Sequence, residues 1–314
     1  MRASSLITTA SLAAIALGGC LVQTNDDAHI VARVLPTAEN VKIKVPEGAA
    51  SNLRAVGQLA DYYVITRTIS RDLNVSAAWV LGTVHLIVQF PPTSVDGDTY
   101  TWGPHSDALD PAEWRLQVTA LADGSYDWTL DGRSKTVPGA GFEDLIWGNA
   151  VPGAQDNRGT GHFMMDFDAA ERVNQVDNDG RGQVAVAYDL ENRDGTSATL
   201  EMAIDGYDTD AEGNDVPVHF DYGYAELDDG AGELQFAIHG DLDDEGGLAE
   251  EAEIRSSWLA TGACRADVTA RGGDLGDLEV SATECWDTSF GRIYYGDSQE
   301  WMPTEGDPAA CITE

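Results

Sequence analysis

Positive charge is scarce in this chain: Lys and Arg total 18 against 54 Asp and Glu, a formal charge of −36 over 314 residues. A surface of that sign repels phosphate backbones, so nucleic acid is excluded as a partner. Cysteine is also sparse, with four residues at 20, 264, 285 and 311 and no Cys/His spacing of the kind that closes on zinc. The six histidines, at 29, 85, 105, 162, 219 and 239, form neither HxH nor HExxH. GxSxG, GxxxxGK[ST] and a strand-linked GxGxxG are missing, which leaves nucleophile-elbow hydrolysis and nucleotide use without support. No apolar run reaches the roughly 20 residues that span a bilayer. The longest candidate, Ser76 to Phe90, is 15 residues and carries His85 and Gln89. Hydrophobic residues nevertheless make up 43% of the chain, enough to bury a core, which excludes a disordered acidic tail.

What is present begins with the leader. Arg2 precedes an apolar run from Leu6 to Leu17 that is broken only by Ser and Thr, the pattern of a secretory signal. Leu17-Gly18-Gly19-Cys20 then resembles the lipobox of bacterial lipoproteins. The resemblance implies cleavage before Cys20 once its thiol carries diacylglycerol, with acyl chains holding the protein to the membrane at about 0.8 kcal/mol per buried CH₂. It divides the chain into a signal peptide (1–19), a lipidated polar tether (20–28) and a single β-rich domain (29–314). The implied location is the bacterial cell envelope, with the membrane as partner through Cys20. Leu21, at the second mature position, points to the outer membrane.

In the body, NVKIKVP alternates Val41, Ile43 and Val45 with lysines, the period of a strand with one wet face. Helical spacing follows over about 51–90, read as two helices, the second starting at Ser76 as N-cap and ending at Pro91-Pro92. The second is apolar nearly all round and is expected to be covered by protein on several sides. From Glu113 onward, segments alternate: Trp114, Leu116 and Val118; Tyr126, Trp128 and Leu130; Phe163 and Met165; Val184, Val186 and Tyr188; Leu200, Met202 and Ile204; Val218, Phe220, Tyr222 and Tyr224; Leu234, Phe236 and Ile238; Ile254 and Trp258; Val268; Val280. Asp-Gly and Gly-Gly turns join them, and such short turns demand antiparallel pairing. The fold expected is mainly β (α+β): a large curved antiparallel meander sheet or half-barrel covered by one or two N-terminal helices, with a C-terminal tail from about residue 296. In element order this resembles the half-barrels of LolA/LolB-type lipoprotein carriers, which implies that architecture alone.

Matching apolar faces across the turn at Arg271 to Asp277 pairs Val268 with Val280 and Ala266 with Ala282, sets Cys264 opposite Glu284, and turns Cys285 to the other face. The disulfide expected is therefore Cys285–Cys311, stapling the tail, with Cys264 a buried small hydrophobe. Oxygen ligands at alternate positions followed by glycine in Asp208-Thr209-Asp210-Ala211-Glu212-Gly213-Asn214-Asp215 resemble the start of a calcium loop, so Asp208, Asp210, Glu212 and Asp215 are candidate ligands of a structural calcium, the only cofactor indicated. Asp241 to Gly246 and Val176 to Gly182 are weaker versions, and the alternative for all three is an ordinary acidic hairpin tip. Trp102, in a Pro/Gly stretch beside His105 and Asp107, either stacks on a ligand or fills the end of the sheet. Gly296-Asp297-Ser298 matches a lipase-type start only by chance, since it lies late in a β meander. The function expected is a non-catalytic envelope lipoprotein that binds a partner, a lipid or another hydrophobic ligand; the alternative is a hydrolase using carboxylates or a metal gathered from separate strands.

Overall fold

The computed structural model describes residues 26–46, 59–176, 178, 180–209, 214–240 and 248–312. The protein is mainly β, and its strands are antiparallel and open rather than closed into a barrel. Two helices come first, α1 (Asp26–Val34) and α2 (Asp61–Val88). The chain divides into two compact units, Met1–Val41 with Ser76–Glu191, and Lys42–Val75 with Asn192–Glu314, so the division falls inside α2.

The first unit holds β1 (Ser94–Asp96), β2 (Thr99–His105), β3 (Ala112–Ala120), β4 (Tyr126–Ser134), β5 (Glu143–Pro152), β6 (Gly159–Asp166), α3 (Phe167–Val173) and β7 (Gln183–Asp189). Each strand pairs with its neighbour in sequence, as short turns require. The register stacks Tyr100, Val118, Trp128, Gly148, Phe163 and Val186 into one core row. A side chain at Gly148 would stand 2.8 Å from Cβ of Phe163, so glycine is what lets the Trp128 and Phe163 rings approach to 6.0 Å. Helix α1 is closed at its C-terminal end by Asn157, whose Nδ2 donates to the carbonyls of Ala32 (2.6 Å) and Leu35 (2.8 Å). Asp166 caps α3 by accepting from the N–H of Ala169 at 2.8 Å.

The second unit holds β8 (Thr196–Thr209), β9 (Asp215–Leu227), β10 (Gly232–Gly240), β11 (Glu250–Trp258), β12 (Cys264–Gly272), β13 (Val280–Trp286), β14 (Arg292–Asp297) and β15 (Glu305–Gly306), again paired in chain order. Its core row runs Leu200, Tyr224, Leu234, Ser256, Ala266, Glu284, Tyr295. The first half of α2 lies on this face: Thr66 Oγ1 meets Ser256 Oγ at 2.7 Å, and the Tyr63 ring packs on Trp286 and Phe290.

Several expectations need correction. The stretch 41–46 joins no strand; side chains hold its backbone instead: Asn74 Oδ1 accepts from the N–H of Ile43 (2.7 Å), Asn74 Nδ2 donates to the Ile43 carbonyl, and the N–H of Lys44 donates to the Tyr224 hydroxyl (3.1 Å). Ser76 is not an N-cap; no Gly or Pro lies between Asp61 and Val75, so one 28-residue helix runs through it. Its last turns are amphipathic, with Leu81, Val84 and Val88 buried and Leu86 and Phe90 exposed, rather than covered on several sides. The β12–β13 register is shifted by two residues, to Val268↔Ala282, Ala266↔Glu284 and Cys264↔Trp286. The two-residue shift leaves every side chain on the face that parity gives it. Helix α1 begins within the stretch read as tether, and β1, β2, β5, β14 and α3 carry no alternation strong enough to announce them.

Candidate functional site

The most built-up polar centre lies in the second unit, where an acid occupies a core position. Glu284 follows Val280 and Ala282 on the inward face of β13 and is fully buried. A carboxylate there must be fully paired, since desolvating it alone costs several kcal/mol. The N-terminus of α2 supplies donors: Oε1 accepts from the N–H of Asp61 at 3.1 Å and Oε2 from that of Tyr62 at 2.5 Å. These are amides that no turn of the helix can satisfy, and the helix dipole favours the negative charge beside them. Arg292 on β14 completes the pairing through an Nε–H to Oε1, while its Nη2 donates to Asp61 at 2.8 Å. Burial, reinforced by Tyr295 and Glu284, pushes the Tyr62 hydroxyl far above the usual phenol range, so it remains a neutral donor.

Beyond this centre the chain forms a rigid tip. Asp297 Oδ1 accepts from the N–H groups of Gln299 and Trp301 (both 3.0 Å), and Oδ2 from that of Met302 (3.1 Å) and from the Tyr295 hydroxyl (3.2 Å). Slight desolvation works against these bonds, and the backbone donors still hold the Asp297 carboxyl below the usual range. The loop so fixed presents Trp301, 68% exposed, and Met302 to solvent. A disulfide joins Cys285 to Cys311 and fastens the tail behind the tip. Ser298, the serine of the Gly-Asp-Ser triplet, is used structurally: its Oγ accepts from the N–H of Ser281 at 2.9 Å.

Other residues singled out from sequence fall as follows. Cys20, Asp210 and Glu212 lie outside the described residues, as do 241–247, Asp177 and Asp179. Asp208 and Thr209, the last two residues of β8, pair with Val216 and Asp215 at the start of β9. Among the described residues no group of three or more His, Cys, Asp or Glu side chains is arranged to hold a metal. Trp102 is 2% exposed and its Nε1 donates to the Phe90 carbonyl at 2.7 Å, so it fills the sheet rather than offering a ligand platform. Cys264 is buried as a free thiol, and that burial pushes its pKa far up, out of reach of nucleophilic chemistry. His219 is held between Asp205 (2.7 Å) and Asp221 (3.1 Å) on the outer face; the Asp205 bond above all keeps its pKa raised. Near it in the ladder, an open cleft of about 340 Å³ is lined by His239, Glu251, Arg271 and Glu279.

Sequence reasoning missed the two buried acids that pair with an arginine, Glu284 and Asp131. Glu284 was detectable, because it interrupts the apolar alternation Val280, Ala282, Trp286 at an inward position. Asp131 was not, since it lies on the polar side of β4, where any acid is unremarkable; the structure buries it opposite Asp144 on β5. Facing carboxylates are what glycoside hydrolysis needs, but Asp131 is only 2% exposed and no substrate reaches it. No family model, curated protein or solved structure matches the chain. The reading below therefore rests on the residues alone.

Proposed function

We propose that this chain is a lipid-anchored protein of the bacterial cell envelope, in the outer membrane, that works by holding a partner rather than by catalysis. The observation that carries the reading is the leader ending in Leu17-Gly18-Gly19-Cys20, with polar, acidic sequence directly after it. What supports binding over chemistry is the use made of the reactive side chains. Ser298 is spent on the Ser281 backbone, Cys264 is buried and protonated, and Glu284 with Arg292 anchors a helix. A rigid tip bearing exposed Trp301 and Met302 is the form a binding hot spot takes. Glu300, Glu305 and Asp307 surround it in sequence, so the partner surface carries basic as well as apolar groups. Calcium at the β8–β9 tip, held by Asp208, Asp210, Glu212 and Asp215, belongs to this proposal as a weak structural ion; a chelator then lowers the melting temperature, and Asp208→Ala with Asp210→Ala removes the difference. The decisive experiment is mass spectrometry of the membrane fraction with Cys20→Ala as control. Acylated Cys20, and release of the variant into the soluble fraction, are expected; a bare thiol at residue 20 in the native protein overturns the anchor.

A further inference from the structure

In the first unit, Asp131 and Asp144 face each other across β4 and β5 at a β-bulge between Leu130 and Asp131. Both bonds from Arg115, Nε at 2.9 Å and Nη2 at 2.5 Å, go to the same oxygen, Oδ2. Oδ1 is buried and has no hydrogen-bond partner, while Asp144 is exposed. An orphaned carboxylate oxygen in the interior is unfavourable, because it has lost water and gained no donor. The charged groups on the surrounding elements are Glu113 and Arg115 of β3, Asp127 and Arg133 of β4, Glu143 of β5 and Asp168, Glu171 and Arg172 of α3. Arg133 bonds Glu113, and Arg172 bonds Glu143 at 2.9 Å, so these two cations are already engaged with other acids. Arg115 and Arg133 also clamp the Phe142 ring, with guanidinium carbons 4.3 and 4.7 Å from its centroid.

We infer that the bare Oδ1 of Asp131 binds a proton that it donates to the facing Asp144 carboxylate, and that this outer face of β3, β4 and β5 is a proton-binding site. One proton turns two repelling carboxylates into a donor and an acceptor, and satisfies the orphaned oxygen without moving Arg115. The direction of titration agrees: burial pushes the Asp131 carboxyl up, Arg115 opposes this, and Asp144 pushes it up again. A group with a raised native pKa contributes stability that is fully present below the unfolded value and is lost as pH rises through the native one. The site therefore loosens as pH rises through the native midpoint of Asp131.

The test is a ¹³C NMR titration of the aspartate carboxyls in the full chain, with the Asp131 signal assigned through Asp131→Asn. Expected is a midpoint for Asp131 at least one pH unit above the ~3.9 of a free aspartate, which falls in Asp144→Asn and is unchanged by excess calcium. A wild-type midpoint at or below ~3.9 overturns the inference, as does a raised midpoint indifferent to Asp144→Asn. A midpoint displaced downward by calcium overturns it in favour of a cation. Should Asp144→Asn not fold, the wild-type midpoint and the calcium arm decide.

Discussion

Two buried carboxylates, one in each unit, pair with an arginine and differ in what happens to the second oxygen. Glu284 spends one oxygen on Arg292 and the Asp61 amide and the other on the Tyr62 amide. Asp131 gives one oxygen twice to Arg115 and leaves the other to face Asp144. The first is a closed account of charge and hydrogen bonds, which fixes a helix; the second is open by one donor, which makes it responsive to protons. Burial and an arginine are common to both. What separates a structural pair from a titrating one is the neighbour of the remaining oxygen, amides in one case and an acid in the other.

The comparison breaks most readily at Glu284. Glu284→Ala strands Arg292 and uncaps α2, and is expected to lower the unfolding free energy by about 3–5 kcal/mol in a denaturant titration; a loss below about 1 kcal/mol would deny that the pair is closed. Cys285→Ser with Cys311→Ser frees a loop of 26 residues next to that pair. Its expected cost is about 2–4 kcal/mol, read as a drop in melting temperature that reductant reproduces in the wild type. Ser256→Ala removes one of the two hydrogen bonds of the buried Thr66 hydroxyl, which keeps its bond to the Tyr62 carbonyl, and is expected to cost about 0.5–1.5 kcal/mol.

Smaller effects sharpen the contrast. His219 has a raised pKa, so its bonds to Asp205 and Asp221 contribute stability fully present below about pH 6.5 and lost as pH rises through its higher native value. The melting-temperature difference between wild type and His219→Gln should shrink over that interval; because the cluster is exposed, the change is modest, and a difference that grows with pH would contradict the assignment. Trp301→Ala should leave stability within about 0.5 kcal/mol of wild type while weakening partner capture. Marked destabilisation would mean that the ring supports the fold instead of the tip.

Much of the fold was legible because alternation is strong where one face is buried. β3, β4, β6 and β8 to β12 all announce themselves through inward Trp, Tyr, Phe, Leu and Val, and their Asp-Gly turns force the antiparallel order. The β12–β13 register slipped by two residues because apolar matching treated Ala282 as the partner of Ala266, whereas Glu284 takes that place. An acid at a core position is invisible to a rule that pairs like with like. The helices fared worst: α2 reads as two segments because its inward face changes partly to Thr66, Ser70 and Asn74; Thr66 and Asn74 find partners that only tertiary structure supplies, and Ser70 bonds back to the Thr66 carbonyl. The Asp131–Asp144 centre left no trace in the sequence, since its meaning depends on a bulge in the β4–β5 ladder and on Arg115 reaching across from β3.

The hydrogen bonds between Glu284 and the start of α2 connect residues 222 and 223 positions apart. A ribosome delivers the helix more than two hundred residues before its anchor, so during synthesis the amides of Asp61 and Tyr62 must stay hydrated until β13 emerges. Closing so distant a contact makes assembly of that unit slow, and a chain terminated before residue 284 is left with a helix that has nothing to dock its first turn against. Quality control that clips unfinished copies would find its foothold there.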